Sequence, residues 1–238
     1  MSDLSGPFLS VRGDARLTVP PDYVILAGAI ELSRGSKAAA VRAAAASLDR
    51  LTADLTALGA VALGVETERR PLTWSAQSAT TRVERDHDKK TGRYQPTGQV
   101  IATVTVLITV RAFGTLDALG AVLASHEALS VHEVGWHVDW DNPAWPQVRA
   151  AAIQAAIRKG RDYAAALGGS LHHVEHIADA GLLGGGDSAQ YRTTSGARAM
   201  SAMGGAEPDA PSLDPVPQEL TATIEARFTA TGVSLTEH

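Results

Sequence analysis

A run of histidines late in the chain is the densest group of metal-ligating side chains, with His172, His173 and His176 around Glu175. A glycine pair at 168–169 ends a long helix just before this run, so we expect a strand here. On a strand, His172 and His176 share one face and lie about 13 Å apart, which is too far to ligate one zinc ion. On a helix, the same i, i+4 spacing would suit zinc. We therefore expect exposed or edge-strand histidines and assign no metal ligand.

A second charged group, Asp86-His87-Asp88, is followed by two lysines and Gly92. Its residue types would suit an acid–base or metal-binding loop. A glycine there can adopt the positive φ that a hairpin loop requires, and loop tips are usually exposed. The pattern favours a solvated hairpin tip over a reaction centre.

Three of the four tryptophans fall within ten residues, at Trp136, Trp140 and Trp145. We expect Trp136 and Trp140 to share one face of a strand that runs from 129 to 140. The group is a candidate interaction surface for a ligand or a partner subunit, since buried aromatics dominate many interfaces. The alternative is a hydrophobic lid under the turn that leads into the next helix.

The sequence patterns that mark common reaction centres are incomplete. Cysteine is absent, which excludes disulfides, thiol catalysis and thiolate metal sites. The glycine run 184–186 lacks the ending and the following helix of a phosphate loop, and Ser195-Gly196 lacks the frame of a nucleophile elbow. No glycine fingerprint for a dinucleotide follows a strand. We assign no catalytic and no cofactor-binding residue.

The bulk properties of the chain are those of an ordinary globular protein. It has 238 residues, 45% apolar residues, a net charge of −5 and a pI near 5.9. This balance argues against a broad nucleic-acid surface. The first seven residues lack the basic head and apolar stretch of a signal peptide, and no run approaches the roughly 18 apolar residues of a membrane helix. We expect a cytoplasmic protein with no transmembrane segment.

The apolar periodicity predicts two long helices and one short helix. Ser36 is a candidate N-cap for a helix over 37–58, and Gly59 ends it. A second long helix over 146–167 is rich in alanine, which lets a helix lie close to a sheet. A short helix covers 114–123. The apolar residues of the first helix are spaced alternately three and four positions apart, which places them on one face. They are Val41, Ala44, Leu48, Leu51, Leu55 and Leu58.

Strands outnumber helices and connect mostly through turns, which predicts an α+β fold with antiparallel sheets packed by the helices. Residues 181–217 are rich in Gly, Ala, Ser and Pro, and we interpret them as a mobile loop before the last strand. The predicted strands cover 17–19, 23–32, 65–69, 72–76, 80–85, 93–95, 100–113, 129–140, 171–177 and 220–229.

Several of these segments, in this order, resemble the SIMPL-domain family, also described as a domain of unknown function (DUF541). The resemblance spans roughly 9–229 and rests on five motifs. It implies an α+β fold without established catalytic residues. Bacterial members are often exported, and some form ring-like or channel-like oligomers, so the resemblance implies a homo-oligomer. The chain departs from the family in lacking a signal-like start and in having Ala15 where a second glycine is common. The motifs are Val11-Arg12-Gly13, Pro21-Asp22, Leu58-Gly59-Ala60 with Val65-Glu66-Thr67, the β-run 100–110, and the alanine-rich 151–168.

The sequence thus predicts one SIMPL-like domain over 9–230, with loose halves 9–113 and 114–230. We expect a non-enzymatic scaffold or binding protein that self-associates through strand edges and helix faces. One alternative is a carrier of small apolar ligands that uses the tryptophan group. Another is a metal-dependent hydrolase that uses His172, His176 or the loop at 86–88.

Overall fold

The computed structural model describes residues 6–64, 66–88, 92–182 and 213–234. The fold is mixed α+β, which confirms the predicted class; its described strand pairs are antiparallel, except that Val61–Ala62 pairs in parallel with 73–74. A single 3-10 turn at Phe113–Thr115 precedes the second helix. The elements in chain order are β1 (Phe8–Val19), β2 (Tyr23–Arg34), α1 (Lys37–Ala57), β3 (Val61–Ala62), β4 (Leu72–Ala76), β5 (Thr80–Asp88), β6 (Arg93–Val110), α2 (Leu116–Ser125), β7 (Leu129–His137), α3 (Ala144–Ala166), β8 (Ser170–Asp179) and β9 (Gln218–Thr231).

The chain forms two compact units, and they do not coincide with the predicted halves 9–113 and 114–230. The first unit is built from the described parts of 1–20, 139–195 and 217–238, and the second from 21–138 and 196–216. The first unit is discontinuous because β1, near the start of the chain, pairs along its whole length with the last strand. Local patterns along a sequence do not reveal which distant strands pair.

The first unit is a three-stranded antiparallel sheet in the order β1-β9-β8, with α3 packed on it. Small side chains bring the helix close to the strands. A Cβ added to Gly160 would already lie 3.2 Å from side-chain atoms of Leu171 and Phe228. The buried residues of α3 recur every four positions: Ala144, Val148, Ala152, Ala156, Gly160 and Ala164.

The second unit is a six-stranded sheet in the order β3-β4-β6-β2-β7, with β5 paired to β6. The helix α1 packs on β2 and β6, and α2 packs against α1. Alternate residues of the two central strands enter this core. They are Val24, Leu26 and Ile30 of β2 with Ala102, Val104, Val106, Ile108 and Val110 of β6.

The first helix follows its sequence pattern closely. The Ser36 hydroxyl oxygen accepts a hydrogen bond from the N–H of Ala39, and Gly59 takes a φ of +84° just beyond the end. Leu51 and Leu55 are fully buried, and Leu48 is half-buried against the same core. The predicted apolar stripe is therefore the face that packs on the sheet.

Two local predictions were wrong, the strand over 65–69 and the place of Trp140 on a strand. Residues 66–69 form turns rather than a strand, because the Thr67 hydroxyl bonds the N–H of Gly64 and the carbonyl of Ala62. β7 ends at His137, so Trp140 lies beyond the strand. Leu213, inside the predicted loop 181–217, packs against the core of the second unit. The rest of that loop, 183–212, lies outside the described residues.

None of the helices in the described part of the chain combines the length and the apolarity needed to cross a membrane.

Candidate functional site

The three tryptophans of the predicted interaction surface are placed differently. Trp136, in the second unit, makes an edge contact with Phe113 at 5.4 Å between ring centroids and is partly buried. Trp145, in the first unit, donates its indole N–H to the carbonyl of Asp139 at 2.9 Å. Trp140 is 79% exposed. The structure thus uses Trp136 and Trp145 for packing within their own units and leaves Trp140 in solvent.

The β8 histidines do not follow the predicted alternation of faces. Two register shifts interrupt the pairing of β8 with β9, and the rings of His172 and His173 touch at 4.8 Å. A β-bulge adds a residue and re-aims the side chains beside it. Within the described residues, no group of three or more His, Cys, Asp or Glu side chains is arranged to hold a metal ion.

His173 is held on both sides of its ring. Its Nδ1 lies 3.0 Å from the hydroxyl oxygen of Thr229, and its Nε2 lies 2.5 Å from Glu175 Oε1. A hydroxyl, an imidazole and a carboxylate in series resemble a nucleophile with its base and orienting acid. Thr229 is only 5% exposed inside the sheet, however, so its hydroxyl is closed to a substrate. The chain of contacts fixes the bulged strand.

The charged loop at 86–88 lies at the end of the β5–β6 hairpin. The Asp86 carboxylate accepts the backbone N–H of His87 at 2.8 Å, and the His87 ring makes an edge contact with Tyr94. Tyr94 is 68% exposed, and residues 89–91 lie outside the described part. The described contacts are those of a solvated hairpin.

A cleft in the second unit brings together ionisable side chains that the sequence did not connect. His126 Nε2 lies 2.9 Å from Asp54 Oδ2, and the cleft beside them has a volume of about 560 Å³. The His126 side chain is 9% exposed and that of Asp54 is 53% exposed. The pair can exchange hydrogen bonds with a small polar molecule. The other lining residues are Leu32, Ser47, Arg50, Ala53, Ser125, Glu127 and Ala128.

A second group missed from the sequence lies at one end of the six-stranded sheet, on β2, on β7 and directly after the end of β6. The Arg111 guanidinium lies 4.5 Å above the Tyr23 ring, which stacks on His137 at 5.1 Å. Burial lowers the pKa of His137, and the nearby carboxylate of Glu133 partly offsets this. A shallow cavity of about 360 Å³ adjoins Arg111 and Tyr23. The sequence signal is weak, because the three residues lie far apart along the chain.

The outer edge of β1 is a further polar feature of the first unit. The carbonyl of Pro7 accepts the N–H of Ala230, so odd-numbered residues of β1 bond to β9 and even-numbered ones face away. One of those outward carbonyls, on Arg12, accepts a 2.6 Å hydrogen bond from Nζ of Lys159 on α3. On the exposed face, Arg12 also pairs with Glu225 at 2.8 Å. The hydrogen bond and charge of Glu225 raise the pKa of the Arg12 guanidinium.

The long edge strands differ in regularity. The pairings of β5, β7 and β8 with their neighbours each contain at least one register shift. β1 pairs with β9 over 12 consecutive residues without a shift. Bulges twist an edge away from incoming strands, and natural proteins use them to prevent edge-to-edge pairing. In the described part of the chain, β1 is the long edge strand that lacks this protection.

The family model SIMPL, described as "Protein of unknown function (DUF541)", matches residues 9–228. No curated protein matches the chain.

Proposed function

Because the chain belongs to the SIMPL (DUF541) family, whose description names no activity, we propose its function from the structure. We propose a non-enzymatic scaffold or binding protein that self-associates through its sheets. The observation that carries the proposal is the outer edge of β1. One side of this strand pairs with β9 over 12 residues without a shift, and the other side has no strand partner among the described residues. A free edge presents a row of N–H and C=O groups that can pair with another strand.

Exposed apolar side chains on the other edge strands add support. Val174 and Ile177 of β8 are 46% and 45% exposed, and Val131 and Val134 of β7 are also exposed. Contiguous apolar patches mark interaction surfaces, and strand pairing along these edges would remove such side chains from water.

The ionisable clusters favour structural roles over catalysis. His173 joins Thr229 and Glu175 across a bulged strand, and His126 joins Asp54 between two helical segments. Each of these histidines already has a partner inside its own unit. A scaffold uses such contacts to hold the strands and helices in place.

The carrier alternative has less support, because neither the 560 Å³ cleft nor the 360 Å³ cavity is lined by a tryptophan. If the chain were a carrier that uses the tryptophan group, an apolar ligand would shift the emission of Trp140. A screen of apolar ligands by tryptophan fluorescence tests this, with Trp140→Phe as the control variant.

Self-association is tested directly by size-exclusion chromatography with light scattering and by sedimentation velocity. The proposal predicts a mass of two or more chains at micromolar concentration. A single 24.8 kDa species throughout the micromolar range would overturn it.

A further inference from the structure

We propose that β1 pairs with β1 of a second copy of this chain, antiparallel and about a two-fold axis at Gly13. The inference rests on the proposed self-association and names its interface. The pairing would join two three-stranded sheets into one six-stranded sheet in the order β8-β9-β1-β1-β9-β8.

The backbone of β1 offers outward N–H and C=O groups for such a pairing, one of which, the Arg12 carbonyl, must exchange its bond from Lys159 Nζ for one from the second copy. The even-numbered residues point their N–H and C=O groups away from β9, as the Pro7–Ala230 bond and the register require. In a pair centred on Gly13, residue i faces residue 26 − i of the second copy. Arg12 then faces Asp14 of that copy, and the two exchange both backbone hydrogen bonds. Gly13 faces itself in a non-hydrogen-bonded pair.

The charges of β1 select this register. A symmetric pairing centred on Arg12 or on Asp14 would place that residue opposite itself, so like charges would meet. Centring on Gly13 places Arg12 opposite Asp14 twice by symmetry. Centring on Ala15 also opposes unlike charges, Asp14 and Arg16. It aligns fewer residues of the strand, however, and leaves Arg12 opposite Thr18.

The apolar side chains of β1 match in the same register. Leu9 faces Leu17 of the second copy, and Val11 faces Ala15. Leu9, Ala15 and Leu17 are half-buried in the single chain, and all lie on the face that α3 covers. Pairing would bury more of these side chains on the helix-covered face and place the ion pairs on the open face.

The polar face already contains partners that the new ion pairs would extend. Arg12 bonds Glu225, and the Thr223 hydroxyl donates to Asp14 at 3.0 Å. Both Arg12 and Asp14 keep further donor or acceptor capacity, since a guanidinium has five N–H groups and a carboxylate accepts several bonds. Pairing would therefore link the two sheets through a continuous row of side chains.

The register is tested by disulfide trapping, because the chain contains no cysteine of its own. Ser10→Cys and Arg16→Cys are made separately, mixed and oxidised gently. Residues 10 and 16 would be directly opposed, with Cα atoms about 5.5 Å apart, inside the range for a disulfide. We expect the mixture to form a covalent dimer of one chain of each variant. Each variant alone should stay uncrosslinked, since residues 10 and 10, or 16 and 16, would lie about 20 Å apart.

The matched control mixes Arg12→Cys with Thr18→Cys, which are opposed only if the axis lies at Ala15. Preferential crosslinking of that control would overturn the Gly13 register. Wild-type association with neither crosslink would place the interface elsewhere and overturn this inference, while the proposed self-association would stand. A monomeric wild-type chain would overturn both.

A charge reversal gives an independent measurement without crosslinking. Asp14→Arg would place two Arg–Arg pairs across the axis, and we expect the association constant to fall about tenfold or more. Asp14→Asn keeps an acceptor for Thr223 and should weaken association less. Far-UV circular dichroism and thermal melting check that both variants are folded, and sedimentation equilibrium measures their association. Equal association of Asp14→Arg and wild type would overturn the proposed interface.

Discussion

Gly13 lies against the backbone of Ala152: a Cβ on Gly13 would come within 2.1 Å of the Ala152 carbonyl oxygen. The amide nitrogen of Ala156 would lie 2.6 Å from the same atom. The strand β1 can therefore contact α3 at this distance only because residue 13 has no side chain. The close contact between α3 and β1 therefore depends both on the buried alanines of α3 and on Gly13 of β1.

Gly13→Ala should destabilise the first unit by about 3 kcal/mol. The added methyl group would clash with backbone atoms of α3, which cannot move aside by a change of side-chain rotamer. Urea unfolding followed by circular dichroism measures the change. The control is Gly120→Ala in α2, where an added Cβ meets nothing within 4 Å. That variant should gain about 0.5–1 kcal/mol from helix propensity. An unchanged midpoint for Gly13→Ala would show that α3 does not rest on β1 here.

The helices and the fold class were readable from the sequence because their signals are local. The apolar stripe of α1, its Ser36 cap and its Gly59 end all lie within 24 residues of one another and agree. The alanine content of α3 predicted close helix–sheet packing without showing which strand it packs on. The sequence marks Gly13 only as part of a family motif, since its contact with Ala152 spans more than half of the chain.

The remaining features depend on pairings between distant residues, which no periodicity encodes. His126 meets Asp54 across 72 positions, and β1 meets β9 across more than 190. The alternation expected for the β8 histidines failed because bulges arise from how a strand fits its neighbour. The three tryptophans are close in sequence, whereas Trp136 and Trp145 belong to different units.

Leu51→Asp should unfold the second unit, because Leu51 is fully buried between α1 and the sheet. Burying a carboxylate without a partner costs several kcal/mol, about the total stability of many domains. Thermal melting with circular dichroism should show loss of the transition or a large drop in its midpoint. Ala46→Asp, on the exposed side of the same helix, should cost only about 0.5–1 kcal/mol of helix propensity. Similar melting of the two variants would contradict the assigned core face.

His137 should make the second unit less stable in mild acid. Burial lowers its pKa below the ordinary value of 6.5, so the unfolded chain binds a proton that the folded chain resists. The stabilisation is present above pH 6.5 and is lost as the pH falls towards the lowered folded-state pKa. His137→Phe keeps a ring to stack on Tyr23 but cannot titrate. Urea midpoints from pH 7.5 to 5 should therefore fall more steeply for wild type than for His137→Phe. Parallel curves would show that His137 takes no part in the pH dependence.

Lys159 should act against self-association, because its ammonium occupies the outward carbonyl of Arg12 at 2.6 Å. In the proposed pairing, that carbonyl accepts the N–H of Asp14 from the second copy, so the two donors compete. A lysine placed over an edge strand is a known device for blocking strand addition.

Lys159→Met keeps the aliphatic stem and removes the donor, and we expect it to tighten association about tenfold, as loss of one competing charged hydrogen bond implies. Lys159→Arg retains a donor and should behave like wild type. Sedimentation equilibrium measures the association, and urea unfolding reports the intrachain role of the same bond. If Lys159→Met lowers stability and leaves association unchanged, the lysine supports only the fold of its own chain. Tighter association despite equal or lower stability is an outcome that a purely structural contact does not produce.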